Sequence, residues 1–429
     1  MHSETTAADA ALIDTKRPSF HWIIMAASIG NALEWFDILI YGFFATIISK
    51  TFFPASNSTA SLLITLGTFG ISYLVRPIGA LVLGSYADRR GRKASMMVSI
   101  FMMMLGTAVI ALMPGYATIG VAAPVAIVCA RMIQGFSAGG EFGSTTAFMV
   151  EQAPERKGFI ASFQFASQGL SYLLAAGFGV LMTNTLDAAA LESWGWRLPF
   201  LFGILVGPVG LYLRKHIHEG QSFRETKSEK YPVGTVFAHQ KSRMLLAIGV
   251  LVVSTGTSYV ILYIPTYAIR QLNLPDSFGF MATMLTGAIL TFLTPFVGHL
   301  SDRVGRVRMM ICAGFVFTVT IYPVFKILNE HASLGALMAM MAWLGLLKAL
   351  YFGALPALMA EIFPVETRAT GMAVSYNIGV TIFGGFAPLI VASLIQTTGS
   401  KLAPAFYLML LGVISLVALW RCRKTLNLR

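Results

Sequence analysis

The sequence predicts an all-α integral membrane protein of twelve transmembrane helices in two parallel six-helix repeats, with both termini cytoplasmic. Three observations predict it. Of 429 residues, 56% are hydrophobic and only 12% are charged, and the mean hydropathy is +0.71. A soluble domain runs at about 45–50% apolar and about 25% charged, so this much apolar surface calls for lipid around it. Apolar segments of about 20 residues, the length that crosses a hydrocarbon core of roughly 30 Å, recur twelve times between clusters of charge. Finally, Gly84-Ser-Tyr-Ala-Asp88-Arg89-Arg-Gly91-Arg92 returns 214 positions later, half a chain away, as Gly298-His-Leu-Ser-Asp302-Arg303-Val-Gly305-Arg306.

Taken in order, residues 1–20 are polar and acidic, without the apolar core and small-residue site of a cleaved signal, and read as a cytoplasmic tail. Span 21–49 carries Glu34 and Asp37, whose i, i+3 spacing puts both carboxylates on one face. Span 59–86 carries Arg76 before Pro77 and runs into the first copy of the repeat. Span 94–113 follows the cluster Arg89-Arg90-Gly91-Arg92-Lys93. Span 121–149 carries Arg131 and Glu141, with Glu151 just beyond. Spans 157–182, with Gln164 and Gln168, and 196–213 complete an N-terminal half at 21–213. Residues 214–243 are the only long polar interruption and read as a cytoplasmic linker. The C-terminal half, 244–420, holds spans 244–270 (Tyr259 and Tyr263 before Pro265), 277–299, 308–327, 334–360 (Lys348 and Tyr351), 367–396 (Tyr376 and Asn377) and 402–420. A second echo pairs Glu151-Gln-Ala-Pro154 with Glu361-Ile-Phe-Pro364, and a short tail closes the chain at 421–429.

Charge sets the direction. With the N-terminus inside, 23 of the 31 Lys and Arg fall on inside segments, 5 on outside segments and 3 within spans, as the positive-inside rule requires. The net charge of +12 is spread between apolar segments rather than gathered on one face, so no nucleic-acid partner is expected. Cys129, Cys312 and Cys422 are far apart and support neither a disulfide framework nor a metal cluster. The seven histidines form no H-x-x-x-H and there is no G-x-S-x-G, so an enzyme is not expected. A channel would lack the duplicated loops.

The two repeated stretches resemble the loop signature of the major facilitator superfamily, which lies between helices 2 and 3 and between helices 8 and 9. Further segments narrow the resemblance: Gly30-Asn-Ala-Leu-Glu34-Trp-Phe-Asp37, Arg76-Pro77-Ile-Gly79, Arg131-Met-Ile-Gln134-Gly135 leading to Gly139-Gly140-Glu141, and Trp194-Gly-Trp-Arg197-Leu-Pro199-Phe. Together they resemble the metabolite:proton symporter family, whose members carry citrate or tricarballylate, α-ketoglutarate, shikimate, or proline and betaine. The resemblance implies a proton-driven importer working by alternating access in the bacterial inner membrane. It implies helices 1, 4, 7 and 10 around a central cavity, no cofactor beyond the proton gradient, and function as a monomer in the bilayer. Two features depart from it. Only nine residues follow the last span, too few for the heptad-bearing tail of the osmosensory proline/betaine branch. Lys348 belongs to no family motif.

A charge in mid-span costs at least ~2.5–3.5 kcal/mol, so each such residue is a candidate for function. Proton coupling is expected of Asp37, Glu34, Arg131 and Glu141. The leading expectation pairs Asp37 with Arg131, so that protonating the acid frees the cation for substrate; a permanent structural ion pair is the alternative. Substrate contact is expected of Arg131, Lys348, Arg76, Gln164, Gln168, Tyr259, Tyr263, Tyr351 and Asn377. For Arg76 the alternative is bracing Asp88, for Lys348 pairing with Glu34, and for the amides and phenols bonding between helices. Gating is expected of Gly84, Asp88, Arg89, Gly91, Arg92, Glu151, Asp302, Arg303, Arg306 and Glu361, with Asp88 accepting from a helix N-terminus and Arg92 reaching a carboxylate such as Glu151. A mid-membrane lysine favours an anion, so a di- or tricarboxylate such as citrate or α-ketoglutarate is the expected substrate; the alternatives are a zwitterion such as proline or betaine, or shikimate or another cyclic or aromatic acid. No metal site is expected.

Overall fold

A computed structural model describes residues 20–55, 57–90, 92–152, 154–215 and 232–427, and these are helical apart from short connections. In chain order the helices are α1 (Phe20–Phe43), α2 (Ala45–Phe52), α3 (Ser58–Arg90), α4 (Arg92–Leu112), α5 (Tyr116–Ile119), α6 (Ala122–Ala138), α7 (Glu141–Gln152), α8 (Lys157–Thr185), α9 (Ala188–Ser193) and α10 (Leu198–Lys215). They continue with α11 (Pro232–His239), α12 (Lys241–Arg270), α13 (Asp276–Val304), α14 (Arg306–Glu330), α15 (Leu334–Phe352), α16 (Leu355–Ile362), α17 (Arg368–Val380), α18 (Ala387–Thr398) and α19 (Ala403–Leu426).

Among the described residues, ten helical stretches are long and apolar enough to cross a membrane, or eleven if α1 and α2, bent by 67°, make one crossing. The twelfth expected span, the third in order, lies in α4 (Arg92–Leu112), whose described side chains begin at Met97 and form the apolar stretch Met97–Leu112. Most of the linker at 214–243 lies outside the described residues, but its last part forms α11. Within the expected tail at 421–429, α19 runs on to Leu426.

Local chemistry sets the ends. Asp187 caps α9 by accepting from the Ala190 N–H at 2.6 Å, and Ser333 caps α15 by accepting from Ala336 at 3.2 Å. Gly305 turns the chain between α13 and α14 at φ 99°, a conformation that a side chain would oppose. The fourth predicted span breaks at Gly139-Gly140 into α6 and α7, and the eleventh contains a π-helical turn at Thr381–Gly385 between α17 and α18.

The helices of the first half pack α1 on α8, α3 on α6, and α4 on α6 and α10; those of the second pack α12 and α14 on α19 and α13 on α15. The heaviest contact joins the halves, α8 against α13. It is close because Gly287 leaves no room for more: a Cβ there would lie 2.4 Å from the Leu173 nitrogen. Helix α12 is buried along almost its whole length, from Met244 to Ala268, which is why it is apolar on every side. Outward-facing Leu205, Leu245, Phe292 and Phe296 are each at least two-thirds exposed, an apolar perimeter suited to lipid. The halves touch at both ends. Near the loop signatures Asp302 meets α8 and Asn377 meets Gly139; at the opposite end Arg270 donates to Ser58 and Phe280 packs on Phe43 and Phe44.

Candidate substrate and proton site

Helix α1 divides its two carboxylates between neighbours. Glu34 pairs with Arg76 of α3 at 3.0 Å, both side chains buried. The Arg76 guanidinium also lies 4.3 Å from the Tyr73 ring centre. Among the described residues Glu34 thus meets Arg76, while Lys348 Nζ makes no hydrogen bond; the side chain of Asp88, the other partner expected of Arg76, lies outside the described residues. Asp37 turns instead toward α4, where the Thr107 hydroxyl donates to its Oδ2 at 2.5 Å.

The expected direct contact between Asp37 and Arg131 is not formed. Arg131 Nη1 donates to Gln134 Oε1 at 2.8 Å, Gln134 Nε2 donates to Thr107 Oγ1 at 2.9 Å, and Thr107 reaches Asp37. Two neutral side chains therefore stand between the charges. The physical reason is aromatic: the guanidinium sits over Tyr41 at 4.5 Å and Phe69 at 5.1 Å, a cation–π cradle that holds it toward α3. Its Nη2 also donates to Ser72 at 3.4 Å. Glu141 opens α7 after the Gly139-Gly140 break and shares with Glu34 and Asp37 a cavity of about 30 Å³ inside the first half.

A second void, of about 10 Å³, lies between the halves, lined among others by Trp35, Gln168, Ser254, Ser258, Tyr259 and Tyr376. Gln168, Tyr259 and Tyr376 thus fall on it. The Tyr259 hydroxyl donates to Tyr73 at 2.8 Å. The Gln168 amide lies beside the Tyr376 hydroxyl on this void. Lys348 is 2% exposed, and its ammonium packs 4.8 Å from the Tyr172 ring and 4.7 Å from the ring of Phe352, a void-lining residue. Among the described residues Lys348 Nζ has no hydrogen-bond partner. Stacked pairs cross the halves beside the void, Phe142 on Tyr376 at 3.7 Å and Phe165 on Phe352 at 4.0 Å.

Four candidates sit elsewhere. Gln164 accepts from Thr146 at 3.0 Å within the first half, and Tyr351 donates to the Val250 carbonyl at 2.7 Å within the second. Tyr263 is buried next to Tyr267, off the void. Asn377 donates to the Gly139 carbonyl at 2.6 Å, so it ties α17 to the break in the fourth span. Gln164, Tyr351 and Asn377 thus bond from one helix to another.

The second loop signature has the geometry expected of the first. Asp302 accepts from the Gly158 and Phe159 N–H groups at 2.8 and 3.0 Å, the N-terminus of α8 in the other half. Arg306 donates to Asp302 at 2.6 Å and to Glu361 at 2.7 Å. Arg303 and Glu151 are exposed. Gly91 and the side-chain surroundings of Gly84, Asp88, Arg89 and Arg92 lie outside the described residues. Thr107, Tyr172 and Phe352 were not legible as site residues in the sequence. Gln134 carried a signal, one helical turn from Arg131.

Comparison with known proteins agrees with this architecture. The family model "Sugar (and other) transporter" matches residues 22–219, and "Major Facilitator Superfamily" matches residues 275–426. The chain is 36% identical to the citrate-proton symporter of Klebsiella pneumoniae, over 92% of this chain and 90% of that one. It is 36% identical to the alpha-ketoglutarate permease of Escherichia coli K12 over the full length of both, and 31% identical to the proline/betaine transporter of Salmonella typhimurium over 98% and 87%. A crystal structure of D-xylose-proton symporter superposes with a TM-score of 0.73 at 17% identity, covering 94% of this chain and 97% of that one. Another, of the proton:xylose symporter bound to 6-bromo-6-deoxy-D-glucose, superposes with a TM-score of 0.75 at 16% identity, covering 94% and 95%.

A helical bundle closed around an inter-half void, with charges buried beside it, defines a secondary transporter rather than an enzyme. The chain belongs to the major facilitator superfamily, among its metabolite:proton symporters, and is a multi-pass protein of the bacterial inner membrane.

Proposed function

We propose that the chain imports a small organic acid, a di- or tricarboxylate such as citrate or α-ketoglutarate, with protons by alternating access. The observation that carries the anionic choice is Lys348, an ammonium buried beside the inter-half void with aromatic faces for neighbours and no hydrogen-bond partner among the described residues. A buried charge is stable only with a partner. A substrate carboxylate supplies one, and Ser254, whose hydroxyl also lacks a partner among the described residues, and Gln168 beside it on the void supply further polar contacts. The citrate and α-ketoglutarate relatives support the same class. The proline/betaine relatives support a zwitterion as the second reading.

Asp37 is the first proton site, with Arg131 setting its field, Glu34 as the second site and Glu141 in reserve. The expected excess of Lys and Arg on one side supports twelve crossings with cytoplasmic termini, and the chain works as a monomer without a cofactor. The gate is the loop-signature pair: Asp302, Arg306 and Glu361 clamp the halves, with Asp88 and Arg92 as counterparts in the first copy.

Proteoliposome uptake of labelled citrate, α-ketoglutarate, shikimate and proline under an imposed pH gradient tests this. Accumulation of a carboxylate, lost in Lys348→Ala at equal protein content, is the expected result. A normal KM in that variant overturns the lysine's role, and accumulation of proline alone moves the assignment to the zwitterion.

A further inference from the structure

The two oxygens of Asp37 stand in different surroundings. Oδ2 accepts from Thr107 and is strung through Gln134 to Arg131. Oδ1 accepts no hydrogen bond among the described residues. It faces Gly203 of α10, where an added Cβ would lie 2.8 Å away. Beside it is the cavity of about 30 Å³, space for about two waters, whose lining residues all come from the first half. Lys348 and the inter-half void belong to a different set of surfaces.

We infer that Asp37 takes up and releases its proton at Oδ1, from water in this side cavity, so that the proton and the substrate reach the protein's centre by separate routes. On uptake a hydronium in the cavity gives its proton to Oδ1; an O–H bond forms, a water remains, and the carboxylate becomes a neutral acid. Oδ2 stays bonded to Thr107. That bond is charge-assisted only while Asp37 is ionised, and it weakens on protonation. Thr107 and Gln134 are therefore positioning residues, which pass the charge state of Asp37 to Arg131 without moving a proton themselves.

The charged groups around the site are Glu34 on α1, itself paired with Arg76 of α3, Arg131 on α6 and Glu141 on α7. Helices α4 and α10 line the cavity with uncharged residues, Ser99, Ile100, Met103, Met104, Gly203 and Gly207. The inference rests on the proton-symport reading only in taking Asp37 to be the group that titrates.

Infrared difference titration of the full-length protein in liposomes, without substrate, tests it. Asp37 is read as the carboxylic-acid C=O band that disappears in Asp37→Asn. Gly203→Ala sets a methyl group against Oδ1 and excludes water, so the midpoint of the band moves to higher pH by about one unit, a tenfold change in proton affinity. Thr107→Val removes the donor to the ionised form and moves the midpoint the same way, whereas Thr107→Ser keeps the hydroxyl and titrates as wild type. A wild-type midpoint in both Gly203→Ala and Thr107→Val overturns the inference, as does the absence of any Asp37-dependent band. Failure to transport citrate or α-ketoglutarate would overturn the substrate reading and leave this titration intact.

Discussion

Glu34 and Arg76 form a buried pair whose side chains are 9% and 3% exposed, so each cancels a charge the other cannot shed to water. Removing one member of such a pair costs about 3–5 kcal/mol, while removing both is close to neutral. Glu34→Gln and Arg76→Gln should each lower the midpoint of thermal unfolding in detergent, and the double variant should recover most of the loss. Equal losses that simply add would mean the two do not stabilise each other. For Lys348 the expectation concerns binding: Lys348→Ala should raise KM for the carboxylate at least tenfold, about 1.4 kcal/mol, with little loss of stability because the alanine leaves no unpaired charge. Steady-state uptake at a range of substrate concentrations checks it. The cost of charge in lipid was enough to single out these residues in the sequence, but not to pair them. Glu34 and Asp37 share a face by spacing, yet one turns to α3 and the other to α4. Thr107, a lone hydroxyl in an apolar run, carries no pattern that marks it, because its role depends on which helix packs opposite.

At the scale of elements, the clearest device is the N-terminus of α8 seated on Asp302 from the end of α13. The carboxylate accepts from two backbone donors that the helix itself leaves unpaired, and its charge opposes the positive end of the helix dipole. Hydrogen bonds to a charged group contribute about 1.5–3 kcal/mol, so Asp302→Asn should move the balance of closed and open forms by at least tenfold toward opening at the loop-signature face. In a background with Cys129, Cys312 and Cys422 replaced, a cysteine placed at Ser254 on the void should then react faster with an impermeant thiol reagent supplied from that face. Unchanged labelling would remove the clamp. The order of spans was legible from hydropathy because lipid imposes length, and the repeat was legible because the loops keep their charges. The bend after Phe43, the break at Gly139-Gly140 and the π turn at Thr381–Gly385 were not. Each keeps the segment apolar while changing its path, so composition is blind to it; Gly384 and Gly385 at the π turn are packed against Tyr259 and Tyr73, a fit only the assembled bundle defines.

For the whole molecule, membrane potential decides how many protons must move. An inside-negative potential opposes each net negative charge by about 2.3 kcal/mol per 100 mV. A dianion with one proton enters as a net anion and works against the field; with two protons the cycle is neutral, and with three the field assists. Two buried carboxylates near the centre, Asp37 and Glu34, are available, with Glu141 on the same cavity. In the closed form Arg76 already neutralises Glu34, so Glu34 joins as a second site only in a form where that pair has opened. Two or more protons per dianion are therefore expected. With the pH gradient held fixed and the potential set by a potassium gradient and valinomycin, making the interior more negative should leave dicarboxylate uptake unchanged or increase it. Uptake that falls as the interior becomes more negative would mean a single proton per cycle, with Asp37 as the one group that carries it and Glu34 a permanent partner of Arg76.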